Sequence, residues 1–280
     1  MLKLYSRDEW AIRLMVPLYE ERYTQTLWNT DDPDKREKGW TLKGGLWSPW
    51  FFNMRPVGDS PRLFCDICRA MAEMLLNHEN IDLLIGVEMA GVPLVGASAI
   101  IALLKKGRGQ RFGYTRPLPE KVRKPLEALR LLREIDSNVA DYGQKEFVEA
   151  RMKDGDRVAI CDDVATDLGS KLIARLITLW EAERKGINIS CDKIFYLLNR
   201  GKGNRLKAKD FVNEPEKELH PAELSLDYII EFDDHLLALE KSMCPEEYEV
   251  ITTFQKDPKH FQDKDVQKTV LEMAAKTRQS

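Results

Sequence analysis

The chain has 280 residues, 43% hydrophobic and 32% charged, with a net charge of −3. That length allows one large domain or two small ones, the charge leaves no footprint for nucleic acid, and no apolar run approaches the roughly 20 residues needed to span a bilayer. Met1-Leu-Lys-Leu-Tyr-Ser-Arg-Asp-Glu-Trp10 lacks the apolar region of a signal peptide, and five cysteines without a framework suit a reducing compartment. A cytoplasmic protein is therefore expected.

Residues 4–26 carry Leu14, Met15, Leu18 and Tyr19 at helical spacing, an amphipathic helix with Pro17 as its point of interruption. Asn29 to Gly39 is polar and reads as a loop. From Trp40 to Arg55 a Gly44-Gly45 turn is followed by aromatics, which reads as a hairpin. Lys43 offers charge to an anion there, and Phe51 or Phe52 offers a face to a planar ring; a hairpin packed on the core is the plainer alternative. Pro61 to His78 is a helix with Leu63, Phe64, Ile67, Met71, Met74 and Leu75 on one face. Cys65 and Cys68 lie inside it, and no second pair or nearby histidine completes a zinc set.

Ile81 to Gly86 is a buried strand, Val87 to Pro93 a turn, and Leu94 to Leu104 an apolar helix. Ala90 and Gly91 sit in that turn, and Gly91 lets the backbone approach a phosphate. Gly113-Tyr-Thr-Arg116 ends another strand. Leu118 to Asp141 follows, with Lys121, Arg123 and Lys124, and with helical spacing from Leu126 to Ile135.

The most informative stretch begins after the Gly155-Asp156 turn. Val158 to Cys161 is a short buried strand, and Asp162 and Asp163 follow at its end. Thr166 to Ser170 is a small polar turn. Leu172, Ile173, Leu176, Ile177 and Trp180 then recur at helical spacing. Strand, acid pair, turn and helix make a site plan, because open α/β sheets bind ligands at the carboxyl ends of strands and helix starts attract anions. The acids suit sugar hydroxyls or a hard cation such as Mg²⁺. A further strand covers Ile187 to Leu198 and ends at Asn199-Arg200-Gly201. Ile229 to Leu239 reads as a final strand and short helix. The tail, 241–280, is charged with helical spacing at Val266, Val270, Leu271 and Ala274, and no function is assigned to it.

Asp162-Asp163-Val-Ala-Thr166-Asp167-Leu-Gly169-Ser170 resembles the phosphoribosyl pyrophosphate (PRPP) loop of type I phosphoribosyltransferases. Thr41-Leu-Lys43, Gly45, Ser48-Pro49 and Phe51-Phe52-Asn53 resemble the opening segment of orotate phosphoribosyltransferases, which other members of the family lack. The likeness runs in order from about residue 40 to residue 240 and includes Val87 to Pro93 as a pyrophosphate loop, with Phe147-Val148-Glu149 leading to the central strand. It implies an α/β, type I phosphoribosyltransferase fold: a central parallel sheet flanked by helices, a flexible hood and a small N-terminal subdomain. The implied divisions are 1–60, a core at 61–240 with an insertion at 116–145, and a helical tail at 241–280.

The implied reaction joins orotate to PRPP in pyrimidine biosynthesis, giving orotidine 5′-monophosphate and pyrophosphate with Mg²⁺ bound. Lys43, Arg116, Ala90, Gly91, Asp162, Asp163, Thr166, Gly169 and Ser170 would hold PRPP. Phe51, Phe52, Thr166 and Arg200 would hold orotate. Lys121, Arg123 or Lys124 would serve as hood cations, and Asp162 and Asp163 would hold Mg²⁺, directly or through PRPP. A homodimer with shared sites is implied. The departures are Pro117 for a lysine, Tyr142-Gly143 for His-Gly, a hood longer by about twenty residues, and Asp167 and Leu168 in the phosphate turn. A carboxylate about 4 Å from one phosphate charge costs roughly 4 kcal/mol at an effective dielectric of ~20, about a thousandfold in affinity. Three readings stay open: an orotate enzyme, a phosphoribosyltransferase for another base, or a catalytically degenerate relative that binds nucleotides.

Overall fold

The computed structural model describes residues 4–42, 45–78, 80–107, 109–120, 122, 124–137, 146–166, 168–200 and 224–278. Lys43, Lys121, Arg123, Asp167, Tyr142-Gly143 and Gly201 lie outside the described residues. Helix α1 (Arg7–Glu20), strand β1 (Thr24–Thr26), helix α2 (Pro33–Lys38) and strands β2 (Trp40–Thr41), β3 (Trp47–Ser48) and β4 (Trp50–Phe52) come first. Helix α3 (Pro61–Leu76), β5 (Leu83–Gly86), α4 (Gly91–Lys106), β6 (Arg111–Thr115), α5 (Pro125–Ser137) and β7 (Val148–Glu149) follow. Next are β8 (Asp156–Ala165), α6 (Gly169–Arg184), β9 (Ile189–Asn199) and β10 (Ser225–Glu231). Helix α7 (Phe232–His235), a 3₁₀ turn (Leu236–Leu239), α8 (Pro245–Lys256) and α9 (Lys264–Thr277) complete the described chain.

The chain forms two compact units, one of Met1–Tyr5 and Ile67–Ile229, the other of Ser6–Asp66 and Ile230–Ser280. The first contains a sheet of order β10-β9-β8-β5-β6-β7. Strand β5 is parallel to both β6 and β8, β8 is parallel to β9, and β7 runs antiparallel to β6. Leu83, Ile85, Val158, Ile160, Ile194 and Tyr196 are buried, as a parallel sheet covered on both faces requires. The chain steps from β5 to β6 on one side, then returns to β8 on the other. The strand order therefore reverses between β5 and β8, and such a switch point is where open α/β sheets hold their ligands.

The two switch strands meet through backbone alone. Val87 N–H donates to the Cys161 carbonyl at 2.8 Å. A Cβ added at Gly91 would stand 2.6 Å from the Cys161 carbonyl oxygen, and one at Gly86 would stand 2.7 Å from the Gly91 carbonyl oxygen. Glycine is what allows α4 to start so close to β8.

Strand β8 is longer than its apolar run. Pairing with β9 continues through Asp162↔Tyr196, Val164↔Leu198 and Ala165↔Asn199, so the acid pair lies inside the strand and not beyond it. The helix expected in the insertion is present as α5. It packs on α6, burying Ala128 and Leu132, and Leu132 shares a core with Leu168 and Leu172. Glu181 of α6 is fully buried and accepts from the N–H groups of Phe147 at 2.8 Å and Val148 at 3.2 Å, which anchors β7.

In the second unit, α1 opens with a capping box between Ser6 and Glu9, runs through Pro17 without stopping, and buries Trp10, Leu14, Met15 and Leu18. The Asn29–Gly39 stretch, expected as a loop, contains α2, because Asp32 caps it and Pro33 occupies a first-turn position. The expected hairpin is β2 with β3, while β4 pairs with β1. The tail holds α8 as well as the expected α9. Glu247 of α8 is buried and accepts from the Tyr19 hydroxyl at 2.8 Å and the Thr26 hydroxyl at 2.5 Å. Trp50 stacks on Phe232 with centroids 4.0 Å apart. The N-terminal segment and the tail thus share one core.

Gly91→Ala drives a methyl group into a backbone carbonyl, so it should lower unfolding stability by about 1–3 kcal/mol. Gly58→Ala, whose added Cβ meets nothing within 4 Å, should change it by less than about 0.5 kcal/mol. Urea denaturation of the two variants side by side checks this, and equal midpoints would remove the close-packing argument.

Candidate active site

Helices α4 and α6 start at the carboxyl ends of β5 and β8. Their N-cap residues, Ala90 and Leu168, make no side-chain capping hydrogen bond. In α4 the Gly91 N–H donates to the Val87 carbonyl at 2.9 Å, the Val92 N–H to the Met89 carbonyl at 3.3 Å, and Pro93 has no N–H, so this start offers an anion the positive end of the helix dipole and not first-turn donors. The Val87–Cys161 bond and Gly91 hold the start of α4 against β8. Ala90 is half-buried and Gly91 buried at the first; at the second, Thr166 is exposed and Gly169 and Ser170 are half-buried. Leu168, which stands where the related loops have glycine, is buried among Leu132 and Leu172. Its side chain is taken up by the core.

Asp162 is buried, and its Oδ2 lies 2.8 Å from the ammonium of Lys171, a residue only 4% exposed at its side chain. The Asp162 Oδ1 accepts from Asp163 N–H at 2.9 Å, and the Asp163 Oδ1 accepts from Val164 N–H at 2.7 Å. Burial first, and then the Asp162 charge beside it, push the Asp163 carboxyl up to about 7, with Lys171 pulling the other way. Sequence reasoning missed Lys171. Its signal was a cation in the first turn of a helix, where the dipole favours carboxylates.

These acids were expected to hold Mg²⁺ directly or through PRPP. A divalent ion on Asp162 would press against the Lys171 ammonium, and among the described residues no group of three or more His, Cys, Asp or Glu is placed to hold a metal ion. The pair does not suit a directly bound Mg²⁺. An ion carried by a diphosphate ligand makes no such demand on it.

Arg200 follows the end of β9 and is 6% exposed; its N–H donates to the Ala165 carbonyl at 2.8 Å, which seats it beside the end of β8. Burial pushes its guanidinium down to about 9. Arg116 follows β6 and pairs with Glu149 of β7 at the sheet's edge. Lys124 is exposed just before α5. Phe51 and Phe52 belong to the other unit, where successive residues of β4 face opposite ways: Phe52 is buried, and Phe51 is half-buried and stacks on Trp40 with centroids 6.4 Å apart. A cavity of about 980 Å³ lies at the far end of α6, lined by residues such as Arg133, Trp180, Arg184 and Ile189, away from both helix starts. In α3, Cys68 is buried and Cys65 exposed.

No family model matches the chain. A UMP synthase from Leishmania donovani matches with a TM-score of 0.55 at 18% identity, over 88% of this chain and 42% of that one, so this chain spans about two fifths of its length. The fold is that of the type I phosphoribosyltransferases. The sequence relatives narrow the class. The orotate phosphoribosyltransferase of Acinetobacter baumannii is 24% identical over 183 residues, 64% of this chain and 72% of the relative. That of Methanocaldococcus jannaschii is 27% identical over 180 residues, 64% and 81% of the two. The chain is a diverged relative of the orotate phosphoribosyltransferases.

The raised Asp163 gives a signed pH dependence. From about pH 4, where an ordinary aspartate ionises, to about 7, the folded chain keeps a proton that the unfolded chain has lost, so stability falls as pH rises through that window. Asp163→Asn abolishes the loss. Its melting temperature should gain on the unaltered protein between pH 4 and pH 8, most above about 7. Parallel melting profiles would show that Asp163 titrates as an exposed acid.

Proposed function

We propose that the chain transfers the 5-phosphoribosyl group of PRPP to orotate, releasing pyrophosphate and forming orotidine 5′-monophosphate, a step of pyrimidine biosynthesis. One observation carries this reading: an acid pair on β8 at the switch point, with the positive ends of α4 and α6 following the carboxyl ends of the adjacent strands β5 and β8. PRPP has the matching plan of two anionic groups with a sugar between them. In this reading the Thr166–Ser170 turn and α6 take the 5′-phosphate, Ala90, Gly91 and α4 take the diphosphate, and Asp162 and Asp163 meet the ribose. Loss of the diphosphate leaves positive charge on the ribose, and preorganised carboxylates stabilise charge that develops in a transition state. Asp163, poised near neutrality, is drawn to its ionised form as that charge grows.

Mg²⁺ enters this proposal on the diphosphate, whose charge it balances. Arg116 and Lys124 are the described candidates for further cations, and Lys43 and Lys121 keep their proposed roles from the resemblance. For the base, a planar guanidinium matches a carboxylate by paired hydrogen bonds, and a buried arginine gains most from an anionic ligand. Arg200 is therefore the proposed orotate residue, with Thr166 beside it. The names of the relatives support the same choice of base.

A homodimer is proposed as well. Ile100, Leu103 and Leu104 of α4 and Phe112 and Tyr114 of β6 are exposed, and the Phe112 ring lies over Gly96 of α4, which joins the two elements into one apolar face. Such a face on a water-exposed surface calls for a partner.

Pyrophosphate release should require both PRPP and orotate, and Asp163→Asn should lower kcat/KM by about a hundredfold or more. No release with orotate or any other base, and no calorimetric binding of PRPP, would sink the enzyme reading. Equal turnover of a base without a carboxylate would sink the role of Arg200. The pair Leu104→Arg and Phe112→Arg should convert dimer to monomer in sedimentation; an unaltered profile would place the interface elsewhere.

A further inference from the structure

We propose that Lys171 is the resident counter-ion of the acid pair, filling from within the protein the position that a divalent cation would take against these carboxylates. This rests on the reading of Thr166–Ser170 as a phosphoribosyl seat. Lysine is among the residues least often buried, and a cation in the first turn of a helix sits at the wrong end of the dipole. Lys171 accepts both penalties. Its side chain is 4% exposed and it is the third residue of α6.

What it receives in exchange is a complete set of partners. An ammonium has three donors, and three acceptors surround this one: Asp162 Oδ2 at 2.8 Å, the Val164 carbonyl, and the Ser170 hydroxyl at 3.3 Å. With its donors so engaged, Lys171 is not left to grip a phosphate. Asp162 and Val164 lie on β8 and Ser170 in the first turn of α6, so the lysine ties the strand to the helix start across the turn between them. It is a positioning residue: it fixes the Asp162 carboxylate in place and leaves Asp163 to the ligand. Without it, two adjacent acids would share a mostly buried place with no counter-charge, which is a cation site.

The test uses the full-length protein and reads metal binding directly. Mn²⁺ titrated into the ligand-free protein, followed by electron paramagnetic resonance, should show no site at the acid pair. Lys171→Met should acquire one with at least tenfold higher Mn²⁺ affinity, and Asp162→Asn in that background should abolish it. Ribose 5-phosphate, followed by calorimetry, should bind the unaltered protein equally in EDTA and in Mg²⁺. Lys171→Met should lose at least tenfold in EDTA and recover in Mg²⁺, while Lys171→Arg should behave as the parent. A Mn²⁺ site in the unaltered protein that Asp162→Asn removes would overturn the proposal even where Lys171→Met fails to fold. A Lys171→Met variant that folds and gains no site would overturn it too. Failure of ribose 5-phosphate to bind in any form would count against the phosphoribosyl reading, and the Mn²⁺ arm would still decide the counter-ion.

Discussion

The structure hangs on one close approach of backbone to backbone. The Val87 N–H bonds to the Cys161 carbonyl, and Gly91 brings the start of α4 against that same carbonyl oxygen. Strands β5 and β8 are parallel neighbours, so this contact sets how closely the start of α4 approaches β8. Main-chain groups make the contact, and two glycines permit it. The side chains of the turns are then free to vary without changing this backbone contact.

Leu168 shows how such divergence is absorbed. In a turn that must admit a phosphate, a large side chain is an obstruction if it faces the ligand. Here it is buried with Leu132 of α5 and Leu172 of α6. Leu132, in the insertion, belongs to the same core, so the loop residue and the inserted helix are parts of one buried cluster.

Much of the sheet was legible because its strands are short apolar runs closed by small residues. Strands β5 and β8, helices α4 and α6 and the hairpin of β2 and β3 all followed from that pattern. The end of β8 did not. Side-chain polarity changes at Asp162, but the ladder to β9 is made by main-chain groups and runs on to Ala165. Helix α8 was missed although Pro245 stands in its first turn with Glu246 and Glu247, a start signal hidden in a charged tail. The grouping of the tail with the N-terminal segment was beyond sequence pattern altogether. It rests on contacts such as Tyr19 with Glu247, which no local period announces. Lys171 was hidden because a lysine in the first turn of a helix reads as a solvated surface charge.

That lysine changes the electrostatic argument about the loop. From sequence, Asp167 in the phosphate turn was a repulsive cost to an anionic ligand, beside an acid pair with no visible counter-charge. Lys171 pairs with Asp162 in a nearly dry setting, where a fixed charge acts more strongly than in water. Burial and the neighbouring Asp162 charge raise the Asp163 carboxyl well above the usual carboxylate range. Both effects lower the negative charge that the strand contributes. In the proposed reading, the repulsion of a sugar phosphate would come chiefly from the turn, and the positive ends of α4 and α6 would stand against it. Divergence in the turn is tolerable to the extent that the strand beneath it has been made electrically quiet.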